Sequence, residues 1–343
     1  MKIAIIAVTL CKGGAQRMLV ELANGLKQRG HDITIVMSSH GIVEFPLNVK
    51  IIRTKTQDIT VNDIPDSDVI VSTYYSLIQV CEQASLAGKG IHVRISLCYE
   101  PVFLPNQEVS FKSYHISKNL IVLSAWQKQV IKLNHGIDGE TVPVGISGAF
   151  HNMGLRNGKA LRVSGILRIP EGGYSWHRDQ EYLTQTLNAI KHKYPDVVIS
   201  LITHPNELKH SPTLRSVHSN QNFESLHPAD DTMLNHYLNI TDIFISTSTF
   251  DTGSLPGLEA MKCGAAVTTI YSGGNADYCR HNHNCLLSYR YENKLFEHIS
   301  FLIDNPEHRY RIAKEGEKEA AKWTWEKSVD AFESAIKKFI ARI

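Results

Sequence analysis

Two carboxylates eight positions apart, Asp251 and Glu259, stand in a stretch that could bind a sugar carrying phosphates: Phe250-Asp251-Thr252-Gly253-Ser254-Leu255-Pro256-Gly257-Leu258-Glu259-Ala260-Met261-Lys262-Cys263-Gly264. Pro256 is tolerated in a helix's first turn, and Gly264 suits the left-handed residue just past a helix end. Helical side chains lean toward the helix N-terminus, so Glu259 is directed back toward the loop that carries Asp251. Gly253 lets backbone approach a ligand closely. The N–H groups at the helix start favour an anion. A carboxylate suits neutral hydroxyls and a positive helix end suits phosphates; a nucleotide sugar has both.

The elements that must position these groups are short buried strands. Apolar runs at Ile243 to Ile245 and Ala265 to Ile270 flank the stretch. Such runs joined by a brief helix read as parallel strands linked by a crossover. The same alternation occurs at the start of the chain: Ile3 to Val8 as a strand, a Gly13-Gly14 loop, a helix from about Ala15 to Arg29 and a strand from Ile33 to Met37. A glycine loop before a helix can admit a phosphate or a sugar, or can simply be a tight turn. Further strands are expected at Val49–Ile52, Val69–Ser72, His92–Leu97, Leu120–Leu123, Leu161–Leu167 and Val197–Thr203, with helices near Ser76–Leu86, Ala125–Asn134 and Thr232–Leu238. The fold class is α/β, with parallel sheets wrapped by helices.

The central stretch resembles the acidic signature of the retaining glycosyltransferases of family 4, in which two glutamates flank Gly-Leu-Pro and Glu-Ala-Met-x-Cys-Gly closes the motif. Leu255-Pro256, Glu259-Ala260-Met261 and Cys263-Gly264 match it, while Asp251 replaces the first glutamate and Ser254 a glycine. The resemblance extends in order along the chain. Gly13-Gly14-Ala15-Gln16-Arg17 through Arg29-Gly30-His31 is similar to the family's opening, and Ser124-Ala125-Trp126 and Val144-Gly145-Ile146 to elements later in its first domain. Trp323-Thr324-Trp325 resembles its Phe-Ser-Trp element.

The resemblance implies a GT-B fold: two doubly wound Rossmann-like domains facing a central cleft, with a C-terminal helix crossing back to the first domain. The expected division is residues 1–150 for the acceptor, 151–324 for the nucleotide sugar and 325–343 for the crossing helix, with Met153 to Lys159 as the linker. It implies that Glu259 holds the nucleotide ribose and that Asp251 meets the donor sugar. Arg168 and Arg178 fall where the family holds the diphosphate, with Asp179 in place of a glycine; a solvated arginine at a helix end is the other reading of Arg178. Gly253, Ser254 and Leu255 lie at the donor, as do Gly273 and Gly274 of a second glycine loop, and the segment from Asn222 to His227 would cradle the base. Many members carry a histidine near the end of an inner strand of the first domain. Here that strand closes in Tyr99-Glu100-Pro101, and Glu100 is either a contact to a substrate hydroxyl or a surface acid.

Composition narrows the partners. The chain has 343 residues, 43% hydrophobic and 20% charged, which suits two globular domains. A net charge of +2 makes no electrostatic case for nucleic acid and leaves room for peripheral contact with a membrane. Six scattered cysteines fit a reducing cytoplasm, and no apolar run approaches a membrane span. Lys2 followed by Ile3 to Leu10 reads as a buried strand rather than a signal peptide, because no A-x-A site follows. Cys279, His281, His283 and Cys285 invite a zinc reading, but single-residue spacers do not let consecutive ligands wrap one tetrahedral ion. No metal and no cofactor is expected beyond the donor. The resulting expectation is a retaining glycosyltransferase that moves a sugar from a nucleotide-diphosphate donor to a glycan, lipid-linked, protein or small-molecule acceptor. The rivals are a nucleotide-sugar epimerase on the same architecture and a degenerate binding or chaperone subunit.

Overall fold

The computed structural model describes residues 1–104, 106–156 and 160–342. The chain divides into two compact units, one of Met1–Gly145 with Thr324–Ile343 and one of Ile146–Trp323.

The first unit runs β1 (Lys2–Ala7), α1 (Gly14–Gln28), β2 (Asp32–Met37), β3 (Lys50–Arg53), β4 (Val69–Ser72), α2 (Ile78–Leu86), β5 (Ile91–Ser96), α3 (Glu100–Phe103), α4 (Gln107–Ser113), β6 (Leu120–Val122), α5 (Ala125–His135) and β7 (Glu140–Thr141). Its sheet has the order β3-β2-β1-β4-β5-β6-β7 and every pairing is parallel. Ile3, Ile5, Ile6, Val69, Ile70 and Val71 are buried, which is why these strands read as unbroken apolar runs.

The second unit runs β8 (Arg162–Ile166), α6 (Gln180–Lys193), β9 (Val198–Ile202), α7 (Pro205–His210), α8 (Pro212–His218), β10 (Glu224–Leu226), α9 (Asp231–Asn239), β11 (Ile243–Ser246), α10 (Leu255–Lys262), β12 (Ala266–Ile270), β13 (Leu286–Ser288), α11 (Leu295–Asp304) and α12 (Pro306–Ala320). The sheet order is β10-β9-β8-β11-β12-β13, again parallel throughout. Both sheets reverse direction of winding beside their first strand, at β1/β4 and at β8/β11. In such sheets ligands bind outside the carboxyl ends of the strands at the reversal. In the second unit those ends lead into the loops that carry Arg168, Arg178 and Asp251.

The last helix, α13 (Trp325–Ile340), belongs to the first unit and buries Val329, Phe332, Ile336 and Phe339. Its close approach to α1 is set by Gly25: a Cβ there would lie 2.6 Å from Val329 Cγ2.

The change from first to second unit falls at Gly145–Ile146, ahead of the expected linker. Asn157, Gly158 and Lys159 of that linker lie outside the described residues. Its earlier part is fastened to the second unit, because the side chains of Asn235 and Asn239 on α9 accept from the amides of His151 and Met153. Polar loop composition signalled a linker; asparagines from a distant helix make it part of a domain.

Candidate active site

The loop from β11 to α10 is built by its own polar groups. The Asp251 Oδ1 accepts from the amides of Gly253 (3.3 Å) and Ser254 (3.1 Å), drawing the chain into a turn before the helix. No other side-chain hydrogen bond is made by Asp251 among the described residues, which leaves Oδ2 available. Ser254 takes the left-handed conformation, φ 48° and ψ 45°, and is buried. This is the position where serine replaces the expected glycine, and the backbone keeps a glycine-like shape. Gly253, by contrast, is not among the residues of positive φ. α10 then starts with Leu255-Pro256, and Gly264 closes it at φ 82°.

The second glycine loop packs directly on this turn. Asp251 bridges Gly273, the Gly274 amide donates to the Asp251 carbonyl at 2.8 Å, and a Cβ on Gly274 would lie 1.9 Å from the Thr252 carbonyl oxygen. Gly273 is left-handed at φ 94°. Both glycines therefore shape the loop through backbone contact with its acid-bearing strand end.

Arg178 closes a short 3₁₀ turn, Trp176–Arg178, before α6. It lines a small pocket with Ile166, Thr247, Ser248 and Pro256 of the first turn of α10. Its side chain makes no hydrogen bond or ion pair among the described residues. Burial lowers its pKa, and the charge of Asp251 opposes that shift. The carbonyls beside it are held from the loop after β11: Thr247 Oγ1 donates to the Arg178 carbonyl at 2.6 Å, and the Thr249 amide to that of His177 at 2.8 Å. Burial and the nearby Arg178 bring the His177 imidazole down to about 4, so it is neutral at physiological pH.

Arg168 is fixed differently. Its Nε donates to Glu207 Oε1 at 2.6 Å, Nη2 pairs with the same oxygen, and Gln180 clamps its backbone amide and carbonyl. The charge that the family resemblance would place on a diphosphate is already shared with an acid on α7. Glu259 lies on α10 and is half-buried.

Residues 172–319 match the family model described as Glycosyl transferases group 1. The matched stretch lies within the second unit and covers most of it. Over the whole chain, the fold is similar to sucrose-phosphate synthase from Thermosynechococcus elongatus, with 13% identity, a TM-score of 0.80 and 100% of both chains covered. It is similar to HepE from Anabaena, with 15% identity and a TM-score of 0.77 over 98% of this chain and 100% of that one. A glycosyltransferase from Rickettsia africae matches with 14% identity and a TM-score of 0.80, over 99% of this chain and 98% of that one. The fold is that of the GT-B glycosyltransferases, two Rossmann-like parallel-sheet domains in one chain. No curated protein matches the chain.

The second unit thus gathers Arg178, Asp251, Gly253, Ser254, Leu255, Gly273 and Gly274 around the loops that follow the carboxyl ends of its inner strands. The sequence reading missed Tyr278, whose hydroxyl donates to the Ser254 carbonyl, and Thr247, Thr249 and Glu207, which hold Arg178, His177 and Arg168 in turn. Nothing in their spacing marked them, because each acts across the fold. Cys279 and Cys285 are buried, while His281 takes the Leu287 amide on Nδ1 and His283 lies 3.9 Å from Glu315. No group of three or more His, Cys, Asp or Glu converges as a metal site among the described residues.

In the first unit, α1 starts at Gly14 behind Gly13, whose extended φ of −178° any residue adopts. A Cβ on Gly13 would meet only the movable end of Gln16, so the glycine is not demanded by the turn. Glu100 needs the clearest correction. It is 4% exposed, neither a surface acid nor a group open to a substrate hydroxyl. Oε1 accepts from the Tyr75 amide at 2.8 Å and Oε2 is ion-paired with Arg94, which is itself buried and stacked 3.5 Å from the Tyr114 ring centroid. Burial raises the Glu100 pKa and Arg94 opposes the shift. A charge buried this deeply on Arg94 required a charged partner, and Glu100, just past the end of the same strand, supplies it.

Proposed function

We propose that the protein is a retaining glycosyltransferase that moves a sugar from a nucleoside diphosphate donor to a hydroxyl-bearing acceptor. One observation carries the reading: Arg178, whose side chain makes no hydrogen bond or ion pair among the described residues, lines the same pocket as the N-terminal turn of α10. An arginine and a helix start lying beside one another at the strand ends suit a diphosphate whose negative charge grows as the glycosidic bond breaks. Arg168 adds to that field beside Glu207. The HepE structures hold UDP with glucose in one case and UDP-glucose in another, so a uridine nucleotide sugar is the first donor to try here.

Glu259 would accept from the ribose hydroxyls, and Asp251 Oδ2 from a hydroxyl of the donor sugar. The leaving phosphate would take the acceptor's proton on the same face, which retains the anomeric configuration. The first unit would hold the acceptor. Leaving-group stabilisation falls to the arginines and the helix start, and turnover should persist in a chelator.

The deciding experiment is a mass-spectrometric screen of the purified protein against a panel of nucleotide sugars, with and without candidate acceptors. Acceptor-dependent nucleotide release supports the proposal. An isomerised donor without acceptor identifies an epimerase instead. Binding without turnover favours a degenerate subunit, the reading motivated by Asp251 spending one oxygen on the Gly253 and Ser254 amides.

A further inference from the structure

Arg178 stands directly before a residue in an unusual backbone state. Asp179 has φ 44° and ψ 52°, the left-handed region, and α6 departs from it. A Cβ makes that region unfavourable, although aspartate tolerates it better than most residues.

Something must hold Asp179 there, and the structure supplies a clamp from another strand end. The Asp179 carboxylate is ion-paired with Nε of Arg290, which opens the 3₁₀ turn Arg290–Glu292 after β13. Arg290 is immobilised on two further sides: Nη1 donates to Asn293 Oδ1 at 2.6 Å, and the guanidinium lies 3.7 Å from the centroid of the Tyr182 ring. Tyr182 sits in the first turn of α6, so one side chain grips both the left-handed residue and the helix that follows it. Thr247 also holds the Arg178 carbonyl. Arg290 itself is not among the residues lining the pocket.

We propose that Arg290 is a positioning residue: through Asp179 it holds the left-handed turn that directs Arg178 into the pocket at the start of α10. Its effect on ligand binding rests on the reading of that pocket as the diphosphate site. Glycine adopts the left-handed region without help. Asp179→Gly therefore makes Arg290 dispensable, an outcome that a general loss of packing around Arg290 does not produce.

The test compares the full chain with Arg290→Ala, Asp179→Gly and the double variant, by hydrogen exchange over residues 174–183 and by calorimetry with UDP. Arg290→Ala is expected to speed exchange in that segment about tenfold and to weaken UDP about five- to tenfold. Asp179→Gly should stay within about twofold of the parent in both readouts, and the double variant should match Asp179→Gly. Unchanged exchange in Arg290→Ala overturns the clamp, as does a double variant as impaired as Arg290→Ala. Faster exchange with unchanged UDP affinity overturns the positioning role. A parent protein that binds neither UDP nor GDP refutes the donor-site reading instead, while the exchange rates of the four proteins still decide the clamp.

Discussion

The Tyr278 phenol donates to the Ser254 carbonyl at 2.8 Å, reaching from beyond the second glycine loop to the left-handed residue that starts α10. Tyr278 is buried, and a Cβ at Gly257 would come within 2.7 Å of its hydroxyl. The phenol thus fits a space that only glycine leaves open on the helix. Tyr278→Phe should cost about 1–2 kcal/mol by leaving a buried carbonyl unpaired. Ser254→Gly removes the backbone penalty of a side chain in the left-handed region, on the order of 1 kcal/mol, and should offset much of that loss. Urea unfolding of the two single variants and the double variant checks this; a double variant no more stable than Tyr278→Phe would show that Ser254 is not strained.

What the sequence made legible follows from how local each feature is. The inner strands were visible as apolar runs, and α10 was visible through Pro256 and Gly264, because those signals lie within a few residues of what they specify. The two-residue edge strand β7, Glu140–Thr141, has no such run and was not visible. The acid-bearing loop was legible for the same reason. The buried Arg94–Glu100 pair was not, since an acid at a strand end reads as exposed until the partner on the strand is seen to have no access to water. Nor was the backbone state of Asp179 and Ser254. Their side chains suggested departures from glycine, yet Arg290 and Tyr278, far along the chain, hold both residues in glycine's conformation.

The two acids of the signature should separate in function. Glu259→Ala removes a charge-assisted hydrogen bond of about 1.5–3 kcal/mol to the nucleotide, so affinity for UDP falls on the order of tenfold or more. Asp251→Ala should lower turnover and leave free nucleotide affinity nearly intact. Asp251→Asn retains an oxygen for the Gly253 and Ser254 amides while losing the charge. It should therefore keep the stability that Asp251→Ala loses, without regaining its turnover. Calorimetry with UDP beside donor turnover decides it, and equal affinity losses in Glu259→Ala and Asp251→Ala would sink the division.

Glu100 should behave as a structural acid. Removing it leaves Arg94 charged and unpaired in the interior, a loss of about 3–5 kcal/mol. Glu100→Ala is therefore expected to lower the melting temperature of the first unit sharply. Replacing both partners, as in Arg94→Met with Glu100→Leu, should recover a large part of that stability and of any activity lost with it. A Glu100→Gln variant that melts like the parent but turns over a nucleotide sugar far more slowly would return Glu100 to the chemistry.

The docking of α13 on the first unit should depend on acid pH through Glu333. Its carboxylate accepts from Nη1 of Arg29 at 2.8 Å and meets the His31 ring at 2.6 Å, while Arg29 also reaches Asp330 at 2.6 Å. The hydrogen bond with His31 comes first in lowering the Glu333 pKa, with Arg29 adding to it. A depressed carboxylate contributes stability that is fully present above its unfolded value of about 4.3 and is lost as pH falls through its lower folded value. The contribution should be no more than about 1 kcal/mol, since the network is partly open to solvent. Melting of the parent and of Glu333→Gln from pH 5 down to pH 3 checks the sign. The gap between them should close on acidification over that range; a gap that does not close would mean that Glu333 is not held as an ionised carboxylate in this network.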